Sequence, residues 1–221
     1  MRSFFIFAAC AASVVFAQEQ PPAADASASA TRGMPARATP SDYQAHAQAG
    51  PLTIGAEFFQ HTVPTPKGLL VTEDYVVVEA GVFGPPGTKT TLNYQDFSLR
   101  VNGKKNPQAS EAYMNVFKSL KDPEWEPPGS SAKGGGKTSL NASGNSGGQA
   151  AGEAPKIVHP PFNLQREWNL RMEKQTFPEG NRQLPQAGLL FFLYRGKASG
   201  IHSLELIYDG PAGKATLELQ P

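Results

Sequence analysis

Thiols are almost missing from this sequence, since Cys10 is the only cysteine among 221 residues. It lies in an apolar run that follows Arg2 and ends at Ala17, a pattern that predicts a signal peptide over residues 1–17 with cleavage after Ala17. A lipid-anchored Cys10 is the alternative interpretation of the same run. The mature chain, secreted to a periplasmic or extracellular location, would then have no thiol, which excludes disulfides and cysteine nucleophiles. Such a chain must be stabilised by its hydrophobic core.

Long hydrophobic runs and an excess of one charge are missing as well. The apolar run of residues 1–17 is shorter than the roughly 20 residues that span a bilayer, and no later stretch reaches that length. We therefore expect no stable membrane span once the signal peptide is removed. The formal net charge is +1 and neither sign forms long runs, so the basic surface typical of a nucleic-acid binder is not expected.

We find no residue pattern that predicts catalysis or cofactor binding. Residues 133–139, KGGGKTS, end like a phosphate-binding loop, but Ser131 occupies the position of the required first glycine and no strand precedes the loop. The four histidines, His46, His61, His159 and His202, are not spaced as metal ligands on one element. The sequence therefore predicts no catalytic residue, no cofactor and no metal site.

Glycine and proline are abundant, with 22 and 20 residues, so much of the length is predicted to be linker and turn. Residues 18–50 are rich in Ala, Pro, Ser, Gln and Thr and are expected to form a disordered linker. Residues 129–155 are expected to form a flexible Gly/Ser loop. We interpret residues 51–221 as one domain that contains this loop.

Alternation of apolar residues with period two marks the ordered part as β structure. The central strand is predicted over residues 73–83, with Val76, Val78, Ala80 and Val82 on its buried face. Further strands are predicted at 52–58, 97–101, 203–208 and 215–219, with a short edge strand at 88–92. The strands at 203–208 and 215–219 are expected to form a hairpin.

Residues 189–194 are apolar at every position, which requires cover on both faces of that strand. An insertion over about residues 106–178 holds two amphipathic helix patterns. Ser110 is expected to cap the first helix and Asn163 the second, where Leu164, Trp168 and Met172 recur at four-residue spacing. We expect one face of the strand to meet an opposing sheet and the other to lie under these helices.

Six strands in about 100 residues fit an immunoglobulin-like antiparallel β-sandwich, although a small barrel is also compatible with this count. YVVV at 75–78, DFSL at 96–99 before the Asn102-Gly103 turn, GLLFF at 188–192 and the closing hairpin follow one another along the chain. In that order they resemble bacterial secreted or extracellular immunoglobulin-like domains of uncharacterised function. The resemblance implies an adhesion, binding or envelope-associated module.

Large aromatic residues beside the Gly/Ser loop are the candidate partner-binding residues, namely Trp125, Phe162 and Trp168. The alternative is that they pack on the strand at 189–194. We expect a secreted, non-catalytic interaction module for an envelope or extracellular protein. A small-molecule-binding protein or enzyme with a pocket between sheet and helices is a second hypothesis, which a deep cavity with convergent polar groups would favour. A structural spacer is the third.

Overall fold

The computed structural model describes residues 32–126 and 159–221. The strands are β1 Ala45–Ala49, β2 Leu52–Phe58, β3 Thr62–Thr65, β4 Gly68–Thr72, β5 Tyr75–Phe83, β6 Lys89–Leu92, β7 Phe97–Val101, β8 Gln108–Glu111, β9 Leu120–Lys121, β10 Gly180–Gln183, β11 Gln186–Leu193, β12 Leu204–Gly210 and β13 Gly213–Leu219. The helices are α1 Tyr113–Val116 and α2 Phe162–Gln175, and neither is long and apolar enough to cross a membrane. The predicted signal peptide with its cleavage at Ala17, and the predicted loop at 129–155, lie outside the described residues.

Eight strands form one antiparallel sheet in the order β1-β2-β5-β11-β8-β7-β12-β13. Strand β8 changes partner along its length, because residues 108 and 109 pair with β7 whereas residues 110 and 111 pair with β11. A strand that changes partner in this way turns a corner between two sheet halves. The all-β, antiparallel prediction is confirmed, and the hydrogen-bonded ladder is continuous instead of being divided into two separate sheets.

The edge strands β1 and β13 come together, so the sheet is nearly a closed barrel. Gln44 Nε2 donates to the carbonyl oxygen of Gln220 over 3.0 Å. Gly50 has a positive φ of 59°, and a Cβ there would lie 2.1 Å from the carbonyl oxygen of Ala212. Glycine is therefore required at this contact between the two edges.

The interior of the barrel is the main hydrophobic core. Val76, Val78, Ala80 and Val82 are fully buried in it, which confirms the predicted inward face of β5. Large side chains from the other strands fill the space between the two halves of the sheet, including Phe97, Leu99, Leu190, Phe192, Leu206 and Leu217. Burial of each of these large side chains contributes roughly 1.5–3 kcal/mol.

A second core covers the outer face of β5 and β11. Leu189 and Phe191 of β11 are buried there against Trp168 and Met172 of α2, together with Val77 of β5. The prediction that this strand is covered on both faces, one of them by a helix, is confirmed for residues 189–192, whereas Leu193 is 38% exposed. Leu190 and Phe192 face the barrel, and Leu189 and Phe191 face the helix.

The predicted disorder of residues 18–50 is wrong for residues 32–50. Residues 32–43, here called the N-terminal strap, cross the outside of the sheet, and β1 follows. Met34 N donates to the Ala187 carbonyl oxygen over 2.7 Å, and Arg37 forms ion pairs with Glu57 and Glu79. These long-range contacts fix the strap on the sheet, and its one local element is the 3-10 turn Pro40–Asp42.

Tyr43 packs the end of the strap against two glycines of the sheet. Its ring lies over Gly55 of β2 and Gly81 of β5, where added Cβ atoms would approach the ring to 2.6 Å and the hydroxyl to 2.5 Å. Arg37 lies over the same ring, with its guanidinium carbon 4.5 Å from the ring centre. Burial of the phenol raises the pKa of Tyr43 to about 12.

The predicted insertion over 106–178 is only partly an excursion from the sheet, because it contains β8. Ser110 is buried in this strand and its Oγ donates to the Tyr94 carbonyl oxygen over 2.8 Å, so it does not cap a helix. The first predicted helix is reduced to the four residues of α1 and one 3-10 turn, Phe117–Ser119. The second is confirmed as α2, but it begins at Phe162 after Pro161, so Asn163 lies in its first turn and does not cap it.

Candidate functional site

A cavity of about 630 Å³ lies between α2 and the segment that runs from Phe117 to Trp125. We call it the tryptophan cleft. It is lined by Phe117, Lys118, Leu120, Lys121, Asp122, Trp125, His159, Pro160, Gln165, Trp168 and Asn169. Both tryptophans of the whole sequence therefore line one cavity.

The two tryptophans differ in burial because different elements hold them. Trp168 lies on the buried face of α2 with 3% of its surface exposed, in contact with the second core. Trp125 is half-buried and follows β9, where its backbone N–H donates to the Asp122 carbonyl oxygen over 3.1 Å. The ring centres are 6.3 Å apart and the planes meet at 77°, an edge-to-face arrangement that holds Trp125 in place.

Several polar groups of the cleft are already hydrogen-bonded within the protein. Lys121 Nζ donates to Glu73 Oε1 over 2.5 Å, and Gln165 Nε2 donates to the Pro160 carbonyl oxygen over 2.6 Å. One carboxylate oxygen of Asp122 accepts the backbone N–H of Glu124 over 2.9 Å. These bonds fix the side chains in position but leave acceptor capacity on Asp122 and Gln165.

Other polar groups of the cleft have no such partner. Within residues 32–126 and 159–221, the side chains of Lys118, His159 and Asn169 make no hydrogen bond or ion pair. The Nε1 of Trp168 is buried and lacks an acceptor among the same residues. Since an unsatisfied buried donor costs roughly 1–3 kcal/mol, this N–H is a feature to be explained.

The charges around the cleft nearly cancel. Lys121 is paired with Glu73, so among the described residues one cation, Lys118, and one anion, Asp122, remain unneutralised at its wall. Apolar surface comes from the two tryptophans, Phe117, Leu120 and Pro160. The cleft therefore combines an aromatic wall with hydrogen-bonding groups of both kinds and little net charge.

The three predicted partner-binding residues are separated by the fold. Trp125 and Trp168 meet in the cleft, whereas Phe162 is 81% exposed on the first turn of α2 and does not line the cavity. The alternative prediction, packing on strand 189–194, describes Trp168, which belongs to the core on that strand's outer face, and Trp125, which packs against the same core. It does not describe Phe162. Sequence reasoning did not identify Lys118 and Asn169, whose signal is weak because each is only a polar neighbour of an aromatic residue.

A smaller cavity of about 200 Å³ lies near Arg32, whose side chain makes contacts within the protein. Arg32 lies over the ring of Tyr113 at 4.5 Å and donates to its hydroxyl over 2.9 Å and to Glu173 over 3.3 Å. Burial, with the hydrogen bond to Glu173, raises the pKa of Tyr113. This network attaches the strap to α2.

The histidines of the described residues lie in different surroundings. His61 contacts two backbone carbonyl oxygens, with Nδ1 2.7 Å from Tyr75 and Nε2 3.0 Å from Gly196. His159 lines the cleft, and His46 and His202 are exposed. Across the described ranges no group of three or more His, Cys, Asp or Glu residues could hold a metal ion.

Comparison with known proteins gives no relative from which function could be transferred. No protein-family model matches the chain, and neither a curated protein nor a solved structure does.

Proposed function

We propose that this protein is a non-catalytic binding module and that the tryptophan cleft is its ligand site. The observation that carries the proposal is the cavity of about 630 Å³, which brings both tryptophans together with unpaired polar side chains. Ligand sites of proteins typically enclose ~300–1,000 Å³ and combine aromatic walls with a few placed polar groups. The cleft has this size and this composition.

A binding role accounts for features that a structural spacer does not require. A spacer needs no cavity, and it gains nothing from Lys118 and Asn169, which have no partner in the described part of the chain. The cleft lining within the described residues includes no hydroxyl or thiol side chain, and our proposal is one of binding. Export of the chain and its likeness to secreted immunoglobulin-like domains stay predictions from the sequence.

The two indole N–H groups allow a direct test. A ¹H–¹⁵N correlation spectrum of the full chain contains two indole signals, one from each wall of the cleft. We expect a ligand from a chemically diverse set of small molecules to shift both signals, and Trp125→Ala to abolish the response of the Trp168 signal. Phe162→Ala is the matched control because this residue lies on α2 outside the cleft. A set in which no compound moves either signal would contradict the proposal.

A second candidate function, docking of a partner protein, is favoured by the outer face of α2. Phe162, Arg166, Leu170 and Lys174 follow one another at four-residue spacing and therefore share a face. Phe162 and Leu170 are 81% and 48% exposed, and the two cations make no ion pair with any described residue. Such a face fits a partner with an acidic surface around an apolar pocket.

Partner capture separates the two candidates. The intact chain and a Phe162→Ala/Leu170→Ala variant are compared in capture from an envelope extract, with Trp125→Ala as the control. Docking through α2 predicts loss of the partner only in the double variant. Equal recovery by all three chains would exclude this face.

A further inference from the structure

We infer that the tryptophan cleft takes a neutral saccharide, with one sugar ring against Trp125 and its hydroxyl groups on the surrounding polar side chains. This inference rests on the binding function proposed above and specifies the class of ligand. Four properties of the cleft lead to it: its polar fraction, its mixture of donors and acceptors, its charge, and the position of Trp125.

The polar fraction excludes a purely apolar ligand. Six of the eleven lining residues are polar: Lys118, Lys121, Asp122, His159, Gln165 and Asn169. An apolar molecule that filled the cavity would remove water from these groups without replacing its hydrogen bonds, which is unfavourable. The ligand must therefore form hydrogen bonds at several points around its edge.

The hydrogen-bonding groups of the cleft are of both kinds. Lys118 can only donate, the carboxylate of Asp122 can only accept, and the amide of Asn169 does both. Gln165 offers its carbonyl oxygen, because its Nε2 is engaged by Pro160. Hydroxyl groups match such a wall best, since each can rotate to donate or to accept.

The charge of the cleft favours a neutral ligand. Lys121 is neutralised by Glu73, which leaves Lys118 opposed by Asp122. An anionic ligand would be repelled by Asp122 and a cationic ligand by Lys118, and neither would find two charges of the opposite sign. A neutral polyhydroxylated ligand meets neither repulsion.

Trp125 supplies the flat apolar surface that a sugar ring needs. A pyranose carries C–H groups on its faces and hydroxyl groups around its edge, so it can lie on an aromatic ring while its edge forms hydrogen bonds. Trp125 is half-buried and is supported by the edge-to-face contact with Trp168 at 6.3 Å. A side chain held in this way loses little conformational entropy when a ligand binds.

The test uses the full chain and tryptophan fluorescence, which reports only on the cleft because the sequence has no other tryptophan. The probes are neutral oligosaccharides of hexoses and of N-acetylhexosamines, a sulfated oligosaccharide, a set of nucleosides, and an acidic peptide. We expect saturable binding of a neutral oligosaccharide. Trp125→Ala should weaken it at least about tenfold, and Asn169→Ala about two- to tenfold.

Leu69→Ala is the control variant, because Leu69 is 56% exposed and does not line the cleft. This variant should bind as the parent chain does, and a thermal melt of each variant shows that its fold is kept. Binding of nucleosides or of the acidic peptide through Trp125, without saccharide binding, would leave the binding function standing and overturn the saccharide inference. Binding of the sulfated oligosaccharide more than tenfold tighter than its neutral counterpart would overturn the inference of a neutral ligand. No response to any probe class would count against both proposals.

Discussion

Arg37 neutralises two carboxylates that the sheet places side by side, and its removal should destabilise the fold. Glu57 of β2 and Glu79 of β5 are direct cross-strand partners, an arrangement of like charges that is unfavourable alone. Arg37 pairs with both, and its Nη2 lies 2.8 Å from Glu79, whose side chain is only 4% exposed. In Arg37→Met the aliphatic stem remains while the buried Glu79 loses its counter-charge.

Loss of one partner of a buried ion pair costs about 3–5 kcal/mol. The side chain of Arg37 is 28% exposed, so water reaches part of the site and we expect a value near the lower limit, about 3 kcal/mol. For a domain of this size, that corresponds to a fall in melting temperature of roughly 6–12 °C. Urea unfolding followed by circular dichroism should show a lower midpoint with an unchanged slope.

Arg100→Met is the matched control, because Arg100 pairs with Glu205 across two strands, with side chains 33% and 32% exposed. The control should lose less than about 1 kcal/mol. Adding Glu79→Met to Arg37→Met should recover part of the lost stability, since it removes the unpaired charge. The reasoning fails if Arg37→Met is no more harmful than Arg100→Met, or if the second substitution deepens the loss.

Three further predictions concern α2 and the tyrosine of the strap. Trp168→Ala should lower the free energy of unfolding in urea by about 3–5 kcal/mol, whereas Phe162→Ala should change it by no more than about 0.5 kcal/mol. Equal losses would contradict the finding that Trp168 is buried and Phe162 is exposed. Gly55→Ala should cost about 1–3 kcal/mol because its Cβ would lie 2.6 Å from the Tyr43 ring, and the loss should shrink in a Tyr43→Ala background. The pKa of Tyr43 is about 12 in the folded chain and about 10 in the unfolded chain, so unfolding releases a proton between these values. Stability should therefore fall as pH rises from about 10 to about 12, and Tyr43→Phe should reduce the slope of unfolding free energy against pH.

The strands of the core could be predicted from the sequence because their burial repeats with the period of the backbone. Alternation located β2, β5, β7, β12 and β13, and the unbroken apolar run located β11 with its helix cover. In these elements the local pattern and the final environment agree. Each of them contributes several large apolar side chains to a core.

Elements without large apolar side chains were not predicted. Strand β8 reads QASE and β1 reads AHAQA, so neither offers more than small or polar residues. Their place is set by pairing with strands distant in the sequence. The strap was missed for the same reason, since Arg37 and Glu79 are 42 residues apart.

The cleft was only half predictable. The tryptophans were recognisable as unusual large aromatics, but their meeting requires α2 to lie beside the turn that follows β9. Polar residues such as Lys118 and Asn169 gain meaning only from the cavity they line. Single polar side chains carry no periodic signal that would have identified them in advance.

The neighbours of β5 in the sheet have a consequence for the order in which a growing chain can fold. Strand β5 ends at Phe83, yet β11, which lies directly beside it, begins only at Gln186. At a synthesis rate of ~5–20 residues per second, at least several seconds pass between the synthesis of the valine-rich β5 and the synthesis of β11. Throughout that interval the nascent polypeptide presents an open β edge, so this protein is expected to need a holding chaperone until the ribosome has delivered β11.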